Sequence, residues 1–570
     1  MTAAATPGAK SGRLAGAGAD PAFVAVTGPG SPFEIGVRDG LRQFVGAPPD
    51  LNLMIEAARR FGERTCVVDF DSDGNERRLN FEQMFAWRDQ LVPILHIRRG
   101  DRVAICMRNR AEWLVGFLAT MKAGGVAVLL NSRGSGPELL AMIEEADPAV
   151  VLADTARAEV IRAAGFGGRM LDLTRPFDPD ELARRVADVM PDAGVAQADD
   201  ACAILFTSGT TGRVKGAVLS HRNLITGLMA TQLSGMMVVH NMARDLGVPV
   251  DVLLAQMPQQ AVLLVYPLFH VSGLGSAFLS PFMAGSKVVI MRRWDAQEAV
   301  RLIAREAVTM FTGVPTMLWD ILHRARTDQL DLASLRNIGI GGQALPVNLV
   351  DEVHAVCPHA QIGTGYGMTE CSGAIAQSVG ADFMRRPAAA GRVLPLVDVR
   401  IEAPDGRTLQ PGEAGEIVLR GAQVMHGYWN RPEETAAVLS PDGWLRTGDV
   451  GMVDEEGYVF IVDRKKDMVI SGGENIYCAE VERALGEIAE VRECAAFGVP
   501  DERLGERLVA VVVANSVTEA EIIDRVGRSL ARYKVPTRVA LSATTLPRNA
   551  VGKVDKVGLR KVWPQLSGEQ

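Results

Sequence analysis

The chain has no C-x-x-C pair. Its seven cysteines are scattered over 570 residues, which excludes the usual zinc-ribbon and dithiol spacings and suits reduced thiols in a cytosol. A basic excess is missing too. With a net charge of −8 no dense cationic face is expected, and without one a nucleic-acid partner is excluded. Uninterrupted apolar runs fall short of the ~18 residues that a membrane span needs. The nearest stretch, VDVLLAQMPQQAVLLVYPLFH, is cut by Pro258 and glutamines, so any membrane contact would be peripheral. The N-terminus is small, polar and glycine-rich, with no apolar core for a secretory signal, and disorder is expected over residues 1–32. Internal repeats are also absent.

What is present points to a large α/β protein. A chain of 570 residues exceeds what one hydrophobic core usually supports, so two or more domains are expected. Between Ala203 and Gly367 strand and helix signals alternate: SKVVIM, TMFTGV and LRNIGI extended; DAQEAVRLIAREA, TMLWDILHRA and NLVDEVHAVC helical. Asp295 and Glu298 give the first of these helices a capping-box-like start. RVAICMRNRAEWLVGFLATMKAGGVAVLL has the same strand-helix-strand texture. Two layered, mostly parallel α/β subdomains follow. After about Gly391, turns at Asp405-Gly406 and Pro411-Gly412 separate short strands of a small β-rich unit, and the last hundred or so residues form a smaller α+β domain. The expected division is 33–462 and 463–570.

The stretch LFTSGTTGRVKGAVLSH, residues 205–221, gathers hydroxyls and glycines around two cations. It is not a P-loop: counting from Gly209 places Val214 where the second glycine should be, and Gly216 follows Lys215 where a hydroxyl is required. The physics of anion binding remains. Glycines let backbone N–H groups close on a phosphate, the hydroxyls of Thr207, Ser208, Thr210 and Thr211 can donate, and Lys215 supplies charge. The plainer alternative is a solvated loop with Ser220 capping the next helix. Three further clusters carry chemistry: GTGYGMTE (363–370), GWLRTGD (443–449) with VDRKKDMVISGGENIYCAEVE (462–482), and a lysine on the glycine-rich turn NAVGKVDK (549–556). Singly, each reads as a cap, a turn, a solvated charge run or a tail lysine.

Together, and in this order, the clusters resemble the superfamily of adenylate-forming enzymes, in its acyl-CoA synthetase branch, from about Leu79 to Arg560. The resemblance implies an ATP-dependent, AMP-forming ligase: a carboxylate displaces pyrophosphate from ATP, and a thiol then cleaves the acyl-adenylate. It implies that Thr207, Ser208, Gly209, Thr210, Thr211, Gly212 and Lys215 hold the β and γ phosphates. Glu370 would hold Mg²⁺, Thr369 would meet the α-phosphate, and Tyr366 with Gly342, Gln343 and Ala344 would flank adenine. Asp449 and Arg464 would take the ribose, and Lys553 would bridge the carboxylate and the α-phosphate. Lys466 would be the hinge of the C-terminal domain, Gly472 and Gly473 would line the CoA tunnel, and His270 would stand where acyl pocket and tunnel meet.

The chain departs from the family pattern in places. Val214 replaces a usual proline, Gln343 stands where many relatives have a small residue, and Cys478 follows ENIY. Gly339, Gly341 and Ala344 also fit G-x-G-x-x-A, a weak dinucleotide signal. An acidic residue for a substrate amine is missing from LFHVSG, and no insertion precedes the hinge; both features favour CoA over a carrier protein. The expected partners are a hydrophobic carboxylic acid, led by medium- or long-chain fatty acids with alicyclic and aromatic acids next, plus ATP and CoA. The Met- and Leu-rich segment 228–267 reads as a flap over the acyl tunnel or as a helical pair on the surface.

Overall fold

The computed structural model describes residues 21–70, 74–174, 194–208, 214–341, 347–464, 467–471, 474–549 and 553–568. Two large sheets dominate. One runs in the order Gly427–Tyr428, Val214–Ser220, Ala201–Ser208, Val126–Leu129, Arg102–Cys106, Val150–Ala153, Met170–Asp172. Its last five strands are parallel, and the hairpin of Ala201–Ser208 with Val214–Ser220 closes the antiparallel side. Val126–Leu129 and Val150–Ala153 are buried at every position, as expected for strands covered on both faces.

Among the described residues the second sheet holds thirteen strands. A parallel block runs from Gln361–Met368 through Asn337–Gly341, Met310–Gly313, Ala261–Leu264 and Lys287–Ile290 to Thr65–Phe70. The β-rich region after Gly391 is an antiparallel extension of that same sheet: Gly373–Val379 pairs with Gly391–Val393, and the ladder continues through Tyr458–Arg464, Leu445–Val453 and Gly415–Gly421 to Val397–Glu402. A smaller C-terminal domain, with five strands among the described residues, carries the helices Cys478–Gly486, Glu519–Ser529 and Lys556–Ser567. It has its own core, with Val481, Leu485 and Ile522 on one side and Phe497 against Trp563 at 5.7 Å on the other.

Part of the N-terminal segment read as disordered is ordered. Pro21–Thr27 is a helix that buries Ala22 and Val26 against the helix His221–Leu246, and Phe33 meets the Phe44 ring at 6.0 Å. The apolar residues of PAFVAVT gain enough burial there to offset the entropy of ordering.

The 228–267 segment is a helical pair followed by a strand. His221–Leu246 begins in a capping box formed by Ser220 and Asn223, and Val250–Gln256 follows it. Pro258 then leads into Ala261–Leu264. Gly227 in the long helix is required by a close approach: a Cβ there would lie 2.6 Å from the Ser372 carbonyl oxygen. The helix is thereby pressed against the turn that carries Glu370. Among the described residues no helix is long and apolar enough to cross a membrane.

Candidate active site

A cavity of about 2820 Å³ runs along the parallel strands, and its lining includes their carboxyl ends at Gly341 and Gly365 to Met368, where open α/β sheets place their ligands. Thr207, Lys215, His270, Thr369, Glu370, Tyr366, Asp449 and Lys553 all line it. Residues more than three hundred positions apart in sequence thus share one space.

The hairpin sets Lys215 directly opposite Thr207, whose hydroxyl donates to the Lys215 carbonyl at 3.4 Å. Gly209, Thr210, Thr211 and Gly212 at its tip lie outside the described residues, and Ser208 is described in its backbone alone. Glu370 sits in the short 3₁₀ turn Thr369–Cys371 and is buried. Its backbone carbonyl accepts from Met425 N at 2.8 Å.

The residue that joins these parts is Tyr428, which the sequence reading did not single out. Its hydroxyl donates to Glu370 Oε1 at 3.0 Å, and the Lys215 ammonium stands 5.1 Å from its ring centroid. Burial first, and Glu370 second, push the Tyr428 phenol far above its ordinary pKa, so it remains a donor. Local structure fixes it in place. Gly427–Tyr428 pairs with Val218 and Ala217 of the hairpin, Trp429 N donates to the Gly216 carbonyl at 2.7 Å, and Arg431 forms an ion pair with Glu145 at 3.0 Å. Gly427 has φ 146°, and a Cβ there would meet Thr435 Cγ2 at 2.7 Å, which explains the glycine. The local signal in the sequence is the glycine that precedes Tyr428.

On the other side Tyr366 donates to Asp449 Oδ2 at 2.7 Å. Burial and the adjacent carboxylate hold its phenol well above the usual value. Asp449 is 7% exposed, and register places it across the ladder from Arg464, whose backbone alone is described. Gly342, Gln343 and Ala344, the expected adenine-side loop, lie outside the described residues, as do Lys466, Gly472 and Gly473.

His270 caps the third side, two residues before the π-helical turn Ser272–Leu279, a form frequent at functional sites. Burial, then the charges of Arg133 and Lys553, lower its pKa to about 4. The ring is therefore neutral at pH 7, with a buried Nε2 that has no hydrogen-bond partner. Lys553 reaches the cavity from a C-terminal turn closed by Asn549 N donating to the Lys553 carbonyl at 2.8 Å.

Among the described residues no group of three or more His, Cys, Asp or Glu side chains could cage a metal. A single buried carboxylate facing the cavity still fits Mg²⁺, which binds through one or two carboxylates plus substrate phosphates. Glu370 is the residue that would hold it.

Residues 54–429 match the family described as AMP-binding enzyme, and residues 480–553 match the AMP-binding enzyme C-terminal domain. The chain is 34% identical over 497 residues to the long-chain-fatty-acid–CoA ligase FadD13 of Mycobacterium tuberculosis, covering 85% of this chain and 93% of that one. It is 35% identical over 536 residues to a (7a-methyl-1,5-dioxo-octahydro-1H-inden-4-yl)propanoyl:CoA ligase of Rhodococcus jostii, covering 89% and 97%. Among solved structures, an O-succinylbenzoate coenzyme A synthetase of Bacillus subtilis in complex with ATP and magnesium ion superposes with a TM-score of 0.72 at 30% identity, over 89% of this chain and 98% of that one. Motif order, fold and these likenesses agree, and the chain belongs to the AMP-binding enzyme family of acid–thiol ligases.

Proposed function

We propose that the protein joins a largely apolar carboxylic acid to coenzyme A at the expense of ATP, releasing AMP and pyrophosphate. The observation that carries this reading is the arrangement of Lys215, Glu370, Asp449 and Lys553 around one cavity, with Tyr428 linking the first two. Two cations and two buried carboxylates around a largely apolar space suit a triphosphate, a ribose and an acyl chain taken together.

In the first step the acid oxygen attacks the α-phosphorus and the bond to pyrophosphate breaks. Such displacement depends mainly on positioning and charge neutralisation. Thr207, Ser208, the tip residues 209–212 and Lys215 hold the departing β and γ phosphates. Mg²⁺, when bound at Glu370, neutralises phosphate charge and orients the leaving group. Tyr366 supports the adenine and orients Asp449, which accepts the ribose hydroxyls beside Arg464. Thr369 meets the α-phosphate, and Lys553 stabilises the charge that develops between it and the carboxylate.

In the second step the thiol of CoA attacks the acyl carbon and AMP leaves. The domain from about residue 463 turns about Lys466, withdraws Lys553 and brings Gly472 and Gly473 to the thiol path. His270, neutral at pH 7, stands at the junction that path must cross. Seven free thiols suit work in the cytoplasm.

A medium- or long-chain fatty acid is favoured by the apolar lining from the helical pair and the residue after it, including Met236, Val239, Met242, Leu254 and Met257. Burying that surface is worth roughly 25 cal/mol per Å². A ring acid is the second reading, supported by the glycine wall of the strands at Gly341 and Gly365. The test is a panel of fatty, alicyclic and aromatic acids with ATP, Mg²⁺ and CoA, following AMP and acyl-CoA separately in wild type and Lys553→Ala. Losing that donor slows adenylation by about 10²- to 10³-fold, while thioester formation from supplied acyl-adenylate persists. AMP without acyl-CoA would refute the acceptor, and no product from any acid would refute the ligase reading.

A further inference from the structure

One wall of the cavity is bare backbone. Gly339 and Gly341 alternate along one strand, Gly363 and Gly365 alternate along its parallel neighbour, and register pairs Gly339 with Gly363 and Gly341 with Gly365. Alternate strand residues share a face, and all four line the cavity. The chain therefore provides a flat floor with no side chains.

The floor has distinct edges. A Cβ at Gly339 would lie 3.1 Å from Thr312 Oγ1, and one at Gly341 would lie 3.5 Å from Tyr266 Oη. Across the floor, a Cβ at Gly363 would lie 3.0 Å from Val379 Cγ2, and one at Gly365 would lie 4.0 Å from Gln377 Cγ. Antiparallel register places Gln377 directly beside Gly365. Tyr266 and Gln377 thus face each other over the same end, with the backbones of Gly341 and Gln377 two interstrand spacings apart, about 10 Å.

Both side chains line the cavity, and neither is spent on the fold. Gln377 Oε1 is buried and has no hydrogen-bond partner. Tyr266 is only 7% exposed. Its backbone carbonyl accepts from Asn109 Nδ2 at 2.9 Å, while its hydroxyl has no partner among the described residues. A purely hydrocarbon acid would seal these groups from water and leave them unpaired, which is unfavourable. An oxygen substituent would pair them: a hydroxyl can donate to Gln377 Oε1, and a hydroxyl or carbonyl can accept from Tyr266 Oη.

We propose that the acid activated by this enzyme carries a hydroxyl or carbonyl oxygen on its body, away from the carboxylate, held between Tyr266 and Gln377 over the glycine floor. The proposal rests on the ligase reading and narrows its substrate. Apolar lining elsewhere in the cavity takes the hydrocarbon part, and the two polar groups at the edges of the floor set specificity.

Matched acids test it: straight-chain and ring acids, each beside the hydroxy or keto acid of the same skeleton, assayed with ATP, Mg²⁺ and CoA for kcat/KM of acyl-CoA formation. Wild type, Gln377→Leu, Gln377→Met and Tyr266→Phe are compared, the second glutamine variant guarding against a folding defect in the first. Wild type prefers the oxygenated member of at least one pair by about tenfold or more, because a site built to bond a hydroxyl rejects the analogue that lacks it. The substitutions move that ratio towards one while KM for ATP stays within about twofold, a split that a merely structural role would not give. Acyl-CoA formation with no oxygen preference in any pair, or a ratio that the substitutions leave unmoved, overturns this inference alone. Failure to form AMP or acyl-CoA from any acid overturns the ligase reading and this inference with it.

Discussion

Replacing Tyr428 by phenylalanine isolates one bond at the centre of the site. The variant keeps the ring beneath the Lys215 ammonium, 5.1 Å away, and deletes the hydroxyl that donates to Glu370 Oε1 at 3.0 Å. Glu370 is 7% exposed and lines the cavity, so the lost donor is a direct bond to the carboxylate that faces the substrates. A hydrogen bond to a charged group contributes about 1.5–3 kcal/mol, which converts to roughly a 10- to 150-fold loss if the bond acts fully on the reacting state. The assay is pyrophosphate exchange into ATP, driven by an accepted acid and titrated with Mg²⁺, beside a thermal melt. Exchange falls by that factor, and the Mg²⁺ needed for half-maximal rate rises. Tyr428→Ala removes the ring as well and costs about 0.5–2 kcal/mol more through the lost cation–π contact. If Tyr428→Phe exchanges at the wild-type rate with unchanged Mg²⁺ dependence, Tyr428 does not position Glu370 and the reasoning fails.

Two further perturbations probe the packing of the long helix and the burial of His270. Gly227→Ala should gain about 1 kcal/mol of helix propensity in isolation, yet its Cβ would sit 2.6 Å from the Ser372 carbonyl oxygen, so a net loss of about 1–3 kcal/mol is expected from overpacking, read as a lower denaturation midpoint together with slower adenylation. His270 titrates with the opposite sign to a stabilising ion pair: its pKa falls from 6.5 to about 4 on folding, so between those values the unfolded chain binds the extra proton. Stability should be full above pH 6.5 and should decline towards pH 4, by on the order of 3 kcal/mol at most. A His270→Gln variant should show a shallower decline in urea denaturation across that window.

The parts of this molecule that were legible in the sequence are those set by local pattern. Alternating strand and helix signals gave the parallel blocks, and Ser220 and Asp295 cap the helices they precede. The motifs marked Glu370, Asp449 and Lys553, which the fold brings to one cavity. Long-range pairing hid the rest. Nothing near Tyr428 in the chain announces Glu370 or Lys215, because their meeting depends on a two-residue strand closing onto a hairpin more than two hundred positions earlier. PAFVAVT was too short to read as a helix, since its burial is supplied by a partner helix far along the chain. The β-rich region read as a separate unit because its turns are local, while the ladder from Gly391–Val393 to Gly373–Val379 that joins it to the main sheet is not.

The same strand explains how one framework can take different acids while keeping its nucleotide chemistry. Along Gln361–Met368 successive side chains point to opposite faces. Tyr366 turns towards Asp449 and bonds it at 2.7 Å, whereas Gly363 and Gly365, one position out of phase, leave the floor bare. A bulge between Tyr366 and Gly367 then re-aims the chain into the turn that carries Glu370. Changing a side chain that borders the floor, such as Gln377, alters the space offered to the acid without crossing to the Tyr366 face or shifting the bulge. Acid preference and ATP handling are therefore separable by a single strand's alternation. The geometry requires the substitutions at Tyr266 and Gln377 to act on one and spare the other.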